Sequence, residues 1–534
     1  MSVDPVTREV IRHGLSAIAE EMNAALIRTG YSPNIKERQD CSCAIFDRDG
    51  RMVAQAENIP VHLGAMPFSV AAAIDAFPRE SLAPGDAILV NDPYRGGAHL
   101  PDLTLISPIH MNGSVVGFAA NRAHHADVGG AYAGSVAASA SEIYAEGLRI
   151  PPIRLFRDGT LDPDLMEMIL ANVRATDERR GDIRAQHAAN ETGVERFQEL
   201  ISRHGQGTIE QSIDGLLGYA ERRMRTELTD LRTGTYHFED VLEDDGQGRE
   251  DLPISVAITV REDTIEVDFA GSARQSAGAI NAVKAVTVSA TYYAIRCLTD
   301  PTIPANAGCY RPIEVRAPAG TIVNATPPAA VVGGNLETSQ RIVDVILGAM
   351  QSVVPERAVA ASQGTMNNLT IGGIDPTTDA EYAFYETQAG GAGAGPHGTG
   401  QNAVQIHMTN TKNTPIEVLE SAYPFRVRRY ALRPDSGGDG LHRGGWGIRR
   451  DIELRDGTAT VSLLSERRRT RPYGIAGGGD GDPGEDVLII DGEEQRVPAK
   501  SVHEIEAGTI VSIRTPGGGG YGDPDDSAGS GSET

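Results

Sequence analysis

The stretch "LTLISPIHMNGSVVGFAANRAHH", residues 103–125, has the pattern of a β-hairpin. Two runs of mostly apolar and β-branched residues flank the pair Asn112-Gly113, which is typical of a two-residue hairpin turn. A hairpin returns its two ends to the same edge of a sheet. We therefore predict a hairpin over about 103–121, with the segments just before and just after it close together.

Both of these flanking segments carry histidine and aspartate, residue types that commonly bind metals. "GGAHLPD" (96–102) precedes the hairpin and "NRAHHADVGG" (121–130) closes it, and four of the thirteen histidines (99, 110, 124 and 125) lie within 27 residues. Zinc and manganese sites take three or four imidazole and carboxylate ligands. His99, Asp102 and His124 would supply nitrogen, oxygen and nitrogen.

Three more residues belong to this hypothesis. Asp40, at the start of the "DCSC" strand, could add a second carboxylate, and His125 or Asp127 could hold the outer nitrogen of a ligand. A simpler interpretation is that Asp102 caps a turn after Pro101 and that the histidines are ordinary polar loop residues. The residues alone leave both interpretations open.

The wider pattern predicts a multidomain α+β protein. A helix is expected over 4–30, capped by Asp4 and closed by Gly30 as a left-handed residue, and "DCSCAIFDRDGRMVAQ" (40–55) is expected to form a second hairpin. Later regions are rich in Gly, Pro and short strands, with one helix at 335–354. The predicted regions are 1–245 (mixed hairpins and helices, with the metal-site loops), 246–424 (α+β with Gly-rich loops), 425–524 (β-rich) and 525–534 (a disordered tail).

Composition argues against several classes of partner. The net charge is 48 − 73 = −25, which disfavours nucleic-acid binding. The N-terminus lacks a signal pattern and there is no run of 18 apolar residues, so we expect a cytoplasmic protein without a membrane partner. The basic cluster "SERRRTRPYG" (465–474) is interpreted as a solvated strand end rather than a phosphate site. The close pair Cys41 and Cys43 does not have zinc-ribbon spacing.

The chain shows no convincing nucleotide-binding motif of its own. "GAGPHG" (393–398) fits G-x-G-x-x-G, but Pro396 interrupts it and strand-like residues follow, whereas a dinucleotide site needs a strand before the motif and a helix after it. We interpret it as a Gly-rich loop, which could line an active site.

Five ordered motifs together resemble the hydantoinase B/oxoprolinase family. They are "NDPYRGGAHLPDLTL" (91–105), "NRAHHADVGG", "GGNLETSQRIVD" (333–344), "MTNTKNTPIEVLE" (408–420) and "SERRRTRPYGIAGG" (465–478). The resemblance runs from about residue 3 to 524. It implies a divalent metal, zinc or manganese, held by His99, Asp102 and His124, with Asp40 matching a further carboxylate ligand.

The resemblance also implies a partner. In this family an A-type subunit with an actin-like ATPase fold binds ATP and phosphorylates the substrate, and the B-type subunit completes the reaction at its metal. The expected assembly is an α2β2 hetero-oligomer that acts on a small cyclic amide.

The leading hypothesis is therefore the B-type subunit of an ATP-dependent amidohydrolase. It would hydrolyse a hydantoin, 5-oxoproline or another lactam with a metal-bound water. His125 and Asp127 are the candidate catalytic residues, and Asn335, Glu337 and Arg341 are candidate substrate contacts. A helix start at 335–337 would explain Asn335 and Glu337 equally well. The alternatives are the metal subunit of an ATP-dependent ketone carboxylase of the acetone or acetophenone type, and a scaffold without catalysis.

Overall fold

The structure, a computed structural model, describes residues 3–56 and 58–525. The fold class is α+β, as predicted. A π-helical turn, Gly334–Thr338, leads into the ninth helix. The α-helices are α1 Pro5–Thr29, α2 Pro33–Lys36, α3 Pro60–Ala76, α4 Pro163–Leu170, α5 Thr176–His204, α6 Gln206–Thr229, α7 Lys284–Cys297, α8 Ala307–Tyr310, α9 Ser339–Met350 and α10 Ile416–Ala422.

Helix α1 begins as its sequence predicts and ends differently. The Asp4 carboxylate accepts hydrogen bonds from the backbone N–H groups of Val6 and Thr7, which satisfies the first turn. The end differs because Gly30 has φ −59°, which is not left-handed. Glycine is needed there for space, since a Cβ on Gly30 would lie 2.6 Å from Cγ2 of Ile35.

A seven-stranded sheet in the order β2-β1-β5-β4-β3-β6-β7 supports the first part of the chain. Both predicted hairpins are confirmed: β4 pairs with β5 through the Asn112-Gly113 turn, where both residues have positive φ, and β1 pairs with β2. The strands are β1 Cys41–Asp47, β2 Met52–Gln55, β3 Ala87–Val90, β4 Asp102–Met111, β5 Ser114–His124, β6 Ile153–Arg157 and β7 Thr160–Leu161.

Helices cover both faces of this sheet, and the strand alternation decides which residues meet which helix. Phe118 and Ala120 pack with Met66 and Val70 of α3 on one face. Ala119 and Ala123 pack with α1 and α5 on the other. His124, an even-numbered residue of β5, therefore belongs to the α3 face.

Three smaller sheets follow, in the orders β11-β10-β9-β8, β13-β12-β16-β19 and β14-β15-β20-β17-β18. Their strands are β8 Gly234–Asp244, β9 Glu250–Val260, β10 Ile265–Asp268, β11 Ile313–Arg316, β12 Asn368–Asp375, β13 Ala380–Glu386, β14 Phe425–Leu432, β15 Ile448–Leu454, β16 Thr458–Leu464, β17 Glu485–Ile490, β18 Glu493–Arg496, β19 Lys500–Glu506 and β20 Ile510–Arg514.

These sheets cross the domain boundaries drawn from the sequence. The boundary at 245 falls in the turn between the paired strands β8 and β9. The boundary at 424 separates β12 and β13 from β16 and β19, which lie in the same sheet. The tail predicted to be disordered, 525–534, lies outside the described residues except for its first residue.

The interpretation of the basic cluster 465–474 as a solvated strand end is wrong. Arg467 is buried against Asp240 and Asp344, and Arg468 is paired with Asp486. The cluster therefore ties strands of different sheets together. In the described part of the chain no helix combines the length and the apolarity that a membrane crossing requires.

Candidate metal centre

The loop 91–102 is held in one conformation before β4 begins. The Asn91 side chain donates to the carbonyls of Leu100 and Leu148 and accepts from the N–H of Ile150. Two glycines allow close packing, because a Cβ on Gly96 would lie 2.4 Å from the Phe68 carbonyl and one on Gly97 would lie 2.2 Å from the Asn91 carbonyl. These contacts fix the backbone from which His99 projects.

The hairpin brings the three predicted ligands together. Asp102 and His124 are direct partners in the β4–β5 register, at the open end of the hairpin. Nδ1 of His99 lies 3.1 Å from Oδ2 of Asp102, and Nδ1 of His124 lies 3.4 Å from Oδ1. Within the described residues, these three form a His/Asp group whose ligand atoms all lie within 4.8 Å of one another.

The donor atoms of this group lack other partners. Among the described residues, both ring nitrogens of His99, both carboxylate oxygens of Asp102 and Nε2 of His124 are buried without a hydrogen bond. Leaving buried polar atoms unpaired costs about 1–3 kcal/mol each. A divalent cation would take one ligand atom from each of the three residues, and a nitrogen, oxygen and nitrogen set suits zinc or manganese. The residues therefore fit the metal that the family resemblance implies.

Asp40 and His62 border the same group. The carbonyl of Asp40 accepts from the N–H of His124, which places the start of β1 next to the end of β5. The Asp40 carboxylate lies between the Arg38 guanidinium at 3.7 Å and Nε2 of His62 at 3.8 Å. Asp40 is thus at the edge of the site, outside the compact group of three.

His62 is the residue that the sequence analysis missed. Its Nε2 lies 3.4 Å from Oδ1 of Asp102, and its Nδ1 lies 3.3 Å from Oγ of Ser42. Oγ of Ser42 also accepts from the N–H of Ile59. A proton on Nε2 of His62 would face Asp102. The sequence did contain one indication of a special role: His62 is the only titratable side chain of the mostly apolar α3 before Asp75.

A small cavity of about 20 Å³, enough for one water-sized ligand, lies at the group. The Tyr385 ring stacks on His124 with centroids 4.6 Å apart, and its hydroxyl donates to Asn368. The ligands come from the first sheet, whereas much of the opposite wall comes from later segments. The lining residues are Asp40, Ile59, Val61, His62, His99, Asp102, His124, Asn335, Leu336, Met366, Tyr385, Thr387, Met408, Thr409 and Thr411.

The electrostatics of the group suit a cation. Burial lowers the pKa of His99 and so favours the neutral imidazole that metals bind. Burial alone would raise the pKa of Asp102, but the neighbouring imidazoles of His99 and His62 hold it well below its usual range. Asp102 is therefore an ionised carboxylate inside the protein.

The two predicted catalytic residues have partners elsewhere. Nε2 of His125 is hydrogen-bonded to Oε1 of Gln186, and burial lowers the His125 pKa to about 4. The Asp127 carboxylate accepts from the N–H groups of Gly129, Gly134 and Arg174. Neither side chain lines the cavity. Their contacts favour a role in holding the loop after β5, and a catalytic role stays a prediction.

Of the three predicted substrate contacts, one lines the metal cavity and two do not. Asn335 lines the cavity with an Oδ1 that has no hydrogen-bond partner among the described residues. Glu337 lies behind it, where its Oε1 accepts from the N–H of Met366 and the amide of Asn368. Arg341 is buried among Asp240, Asp344 and Glu466, away from the cavity.

A second constellation resembles a catalytic triad in composition only. Oγ of Ser362 lies 2.7 Å from Nε2 of His407, and Oδ1 of Asp344 lies 3.2 Å from the same nitrogen. A triad needs the carboxylate on the other ring nitrogen, so that the first can take the serine proton. This arrangement does not provide it.

Comparison with known proteins agrees with the motifs and the site. The family model described as hydantoinase B/oxoprolinase matches residues 4–524. An uncharacterised protein of Methanocaldococcus jannaschii is 43% identical over 98% of this chain and 91% of its own length. Caprolactamase subunit beta of Pseudomonas jessenii is 33% identical, with 98% and 91% covered. 5-Oxoprolinase 1 of Arabidopsis thaliana is 40% identical over 97% of this chain, which spans only 42% of that protein.

Two solved structures share the fold. The ATP-dependent caprolactamase of Pseudomonas jessenii superimposes with a TM-score of 0.92 at 32% identity, covering 98% of this chain and 92% of the other. Acetone carboxylase superimposes with a TM-score of 0.88 at 19% identity, covering 98% and 76%, which establishes similarity of fold alone.

Proposed function

The chain belongs to the hydantoinase B/oxoprolinase family, and we propose that it is the metal-bearing subunit of an ATP-dependent enzyme that hydrolyses a cyclic amide. The substrate class is a hydantoin, 5-oxoproline or another lactam. The names of the relatives support this class, since they include 5-oxoprolinases and a caprolactamase.

The observation that carries the proposal is the set of unpartnered donor atoms on His99, Asp102 and His124, converging on a buried cavity at the open end of a hairpin. A loop with a merely structural role would satisfy these atoms by hydrogen bonds. A divalent metal bound there would act as a Lewis acid and lower the pKa of water.

The residues around the metal cavity have different roles in this function. His99, Asp102 and His124 hold the metal. His62 lies with Nε2 3.4 Å from Oδ1 of Asp102 and so restricts the orientation of that carboxylate. Tyr385 stacks on His124 and closes one side of the cavity, and Asn335 presents its free Oδ1 to the substrate side. Asp40 is an additional carboxylate at the edge, able to join the ligand set.

A partner subunit supplies the activation. An unstrained amide is a poor electrophile, and phosphorylation of its oxygen makes the carbon more reactive towards water. The caprolactamase relative is named as a beta subunit, and its solved structure is titled ATP-dependent. We propose an A-type ATPase subunit in the same role here, in an α2β2 complex.

The test is a reconstituted complex of this chain with an A-type ATPase subunit from the same organism. We expect a divalent metal near one equivalent per chain, and ATP hydrolysis that is stimulated by one member of a panel of hydantoins, lactams and ketones. The double variant His99→Ala/His124→Ala should lose the metal and the amide hydrolysis together. His110→Ala, in the same hairpin but outside the site, is the matched control.

Two outcomes would overturn the proposal. Full amide hydrolysis by a metal-free preparation would remove the role of the site. ATP use that depends on bicarbonate and a ketone, without opening of any amide, would identify the carboxylase alternative instead.

A further inference from the structure

A second cavity, of about 470 Å³, lies between α7 and the first turn of α3. Its volume is in the usual range for small-molecule sites, about 300–1,000 Å³. One face of α7 forms a wall with residues at helical spacing: Ser289, Tyr292, Tyr293, Arg296 and Cys297. We call this cavity the α7 pocket.

The α7 pocket and the metal cavity share a partition. Alternate residues of two segments, 58–64 and 408–411, face the two sides. Thr409 and Thr411 line the metal cavity and Asn410 lines the α7 pocket. Likewise Val61 and His62 face the metal cavity, whereas Pro60 and Gly64 face the pocket.

Hydrogen bonds hold the two segments of the partition to each other and to α7. The amide of Asn410 donates to the carbonyl of Asn58, joining the two segments. Oγ of Ser289 lies 3.0 Å from the Pro60 carbonyl and 3.1 Å from the Val61 carbonyl. The helix turn that carries His62 is therefore attached directly to the wall of the pocket.

Arg296 gives the wall of the pocket a positive charge. Its Nη2 donates to the carbonyl of Pro301, while its Nη1 is buried without a hydrogen bond, and Arg296 pairs with no carboxylate of the described residues. Most other arginines near it, such as Arg223 and Arg311, have an acidic partner. A guanidinium without a counter-charge is suited to an anion.

The tyrosines suit an organic ligand beside that anion. The rings of Tyr292 and Tyr310 stack with centroids 4.1 Å apart, giving the pocket a flat aromatic wall. Burial raises the pKa of Tyr292 to about 12, so its hydroxyl is a neutral hydrogen-bond donor. The lining thus combines one cation, neutral donors and an aromatic surface.

We propose that the α7 pocket receives the phosphorylated substrate, with Arg296 binding its phosphate group. This inference rests on the proposed function, since that function requires a phosphorylated cyclic amide. Binding makes and breaks no covalent bond. The pocket would hold the activated molecule beside the partition until it passes to the metal cavity, and would limit its unproductive hydrolysis by water.

The first experiment measures binding of inorganic phosphate to the metal-loaded complex by ³¹P NMR. Arg296→Gln should weaken phosphate binding about tenfold or more, because a hydrogen bond to a charged group is lost. Arg296→Lys, which keeps the charge, should retain part of the affinity. Arg311→Gln, whose partner is Glu221 on the surface, should leave it unchanged. Phosphate bound at the metal would persist in all variants.

The second experiment measures coupling. In the Arg296→Gln complex the ratio of ATP hydrolysed to amide opened should rise several-fold, because the activated substrate is lost to water. Cys297, the exposed cysteine on the pocket rim, offers an independent check: alkylation with a bulky maleimide should raise the same ratio, and phosphate should slow the alkylation in wild type but not in Arg296→Gln.

The outcomes separate the two proposals. Unchanged phosphate affinity in Arg296→Gln, with metal content and thermal stability like those of wild type, would overturn the pocket assignment whatever the activity. If Arg296→Gln does not fold, Arg296→Lys and the Cys297 alkylation decide in its place. Phosphate binding that depends on Arg296, in a complex that opens no cyclic amide, would contradict the proposed function while leaving an anion site. Weakened binding with unchanged coupling would identify a free-phosphate site and also overturn the assignment.

Discussion

The candidate metal site consists of three buried side chains, and most of their polar atoms have no hydrogen-bond partner among the described residues. His99, Asp102 and His124 could be predicted as neighbours because an Asn-Gly hairpin returns its ends to one edge. Their neighbour His62 could not be predicted in the same way. It reaches Asp102 from a helix on the face of the sheet, and that packing depends on contacts far apart in the sequence.

The role of His62 as a positioning residue gives the first prediction. His62→Ala should weaken zinc binding about 10- to 100-fold, because Asp102, the proposed ligand, loses the imidazole that restricts its orientation from 3.4 Å. His99→Ala should weaken binding further, since it removes a ligand. Competition with a chromophoric zinc chelator measures both, and His110→Ala serves as the control.

Two results for the zinc affinity of His62→Ala would contradict this positioning role. An affinity in His62→Ala equal to that of wild type would show that the contact with Asp102 does not matter. A loss as deep as that of His99→Ala would make His62 a ligand instead.

Among the secondary-structure elements, the β4–β5 hairpin is the one on which the site depends. Its turn needs positive φ at both positions, 51° at Asn112 and 79° at Gly113. Gly113→Ala should destabilise the protein by about 1 kcal/mol through backbone strain alone, because nothing lies within 4 Å of the added Cβ.

The metal affinity of Gly113→Ala should not change. The turn lies at the far end of a ten-residue strand, about 30 Å from Asp102. Chemical denaturation and the chelator assay measure the two quantities. Gly207→Ala, in a helix and with an equally open Cβ position, should cost no stability. Weaker metal binding in Gly113→Ala would mean that the turn controls the register at the site.

The Gly-rich loops of the second half pack backbone against backbone. A Cβ on Gly518 would lie 2.0 Å from the Ala392 carbonyl oxygen, and one on Gly444 would lie 1.9 Å from that of Gly518. The interpretation of "GAGPHG" as a loop is confirmed, since the next helix along the chain is α10. The partners of these glycines could not be predicted, because glycine has no side chain whose pattern shows a face.

This packing predicts a large difference between two similar substitutions. Gly518→Ala should destabilise the protein by about 3 kcal/mol or more, since the backbone atoms it would meet cannot rotate away. Gly398→Ala, in the same group of loops but with nothing within 4 Å, should have little effect. Thermal melts of both variants test this, and equal melting temperatures would show that the loops can separate at no cost.

At the scale of the whole molecule, sequence patterns predicted elements better than their assembly. The helix α1 and both early hairpins follow from local periodicity and turn residues. The joining of β12 and β13 to β16 and β19 does not, because strands distant in sequence pair through backbone groups that every residue carries. Buried ion pairs such as Arg467 with Asp240 and Asp344 likewise look like surface charge in the sequence.

One buried carboxyl group links the two regions that form the metal cavity. Oε1 of Glu146 accepts from the N–H groups of Val331 and Val332, just before the π-helical turn that carries Asn335. Oε2 has no hydrogen-bond partner among the described residues. Burial raises the Glu146 pKa from 4.5 to about 8, so the folded protein holds this group protonated at neutral pH.

This proton makes stability depend on pH. Between about 4.5 and 8 the folded state binds one more proton than the unfolded state, so the contribution of Glu146 is complete below pH 4.5 and is lost as the pH rises towards 8. Its slope is about −1.4 kcal/mol per pH unit. From pH 6 to 7.5, wild type should therefore lose about 2 kcal/mol more stability than Glu146→Gln, whose amide keeps the acceptor oxygen and cannot ionise.

Glu243 provides the opposite case within the same fold. Burial would raise its pKa, but N–H donation from Thr470, Arg469 and Arg468 outweighs this and lowers it, so Glu243 is ionised when folded. Glu243→Gln should therefore lose stability equally at pH 6 and 7.5, because both values lie above the window in which it titrates. Equilibrium denaturation at the two pH values separates the cases. A wild-type pH dependence that Glu146→Gln leaves intact would show that Glu146 is already ionised in the folded protein, and that its link to the Val331–Val332 backbone is a charged one.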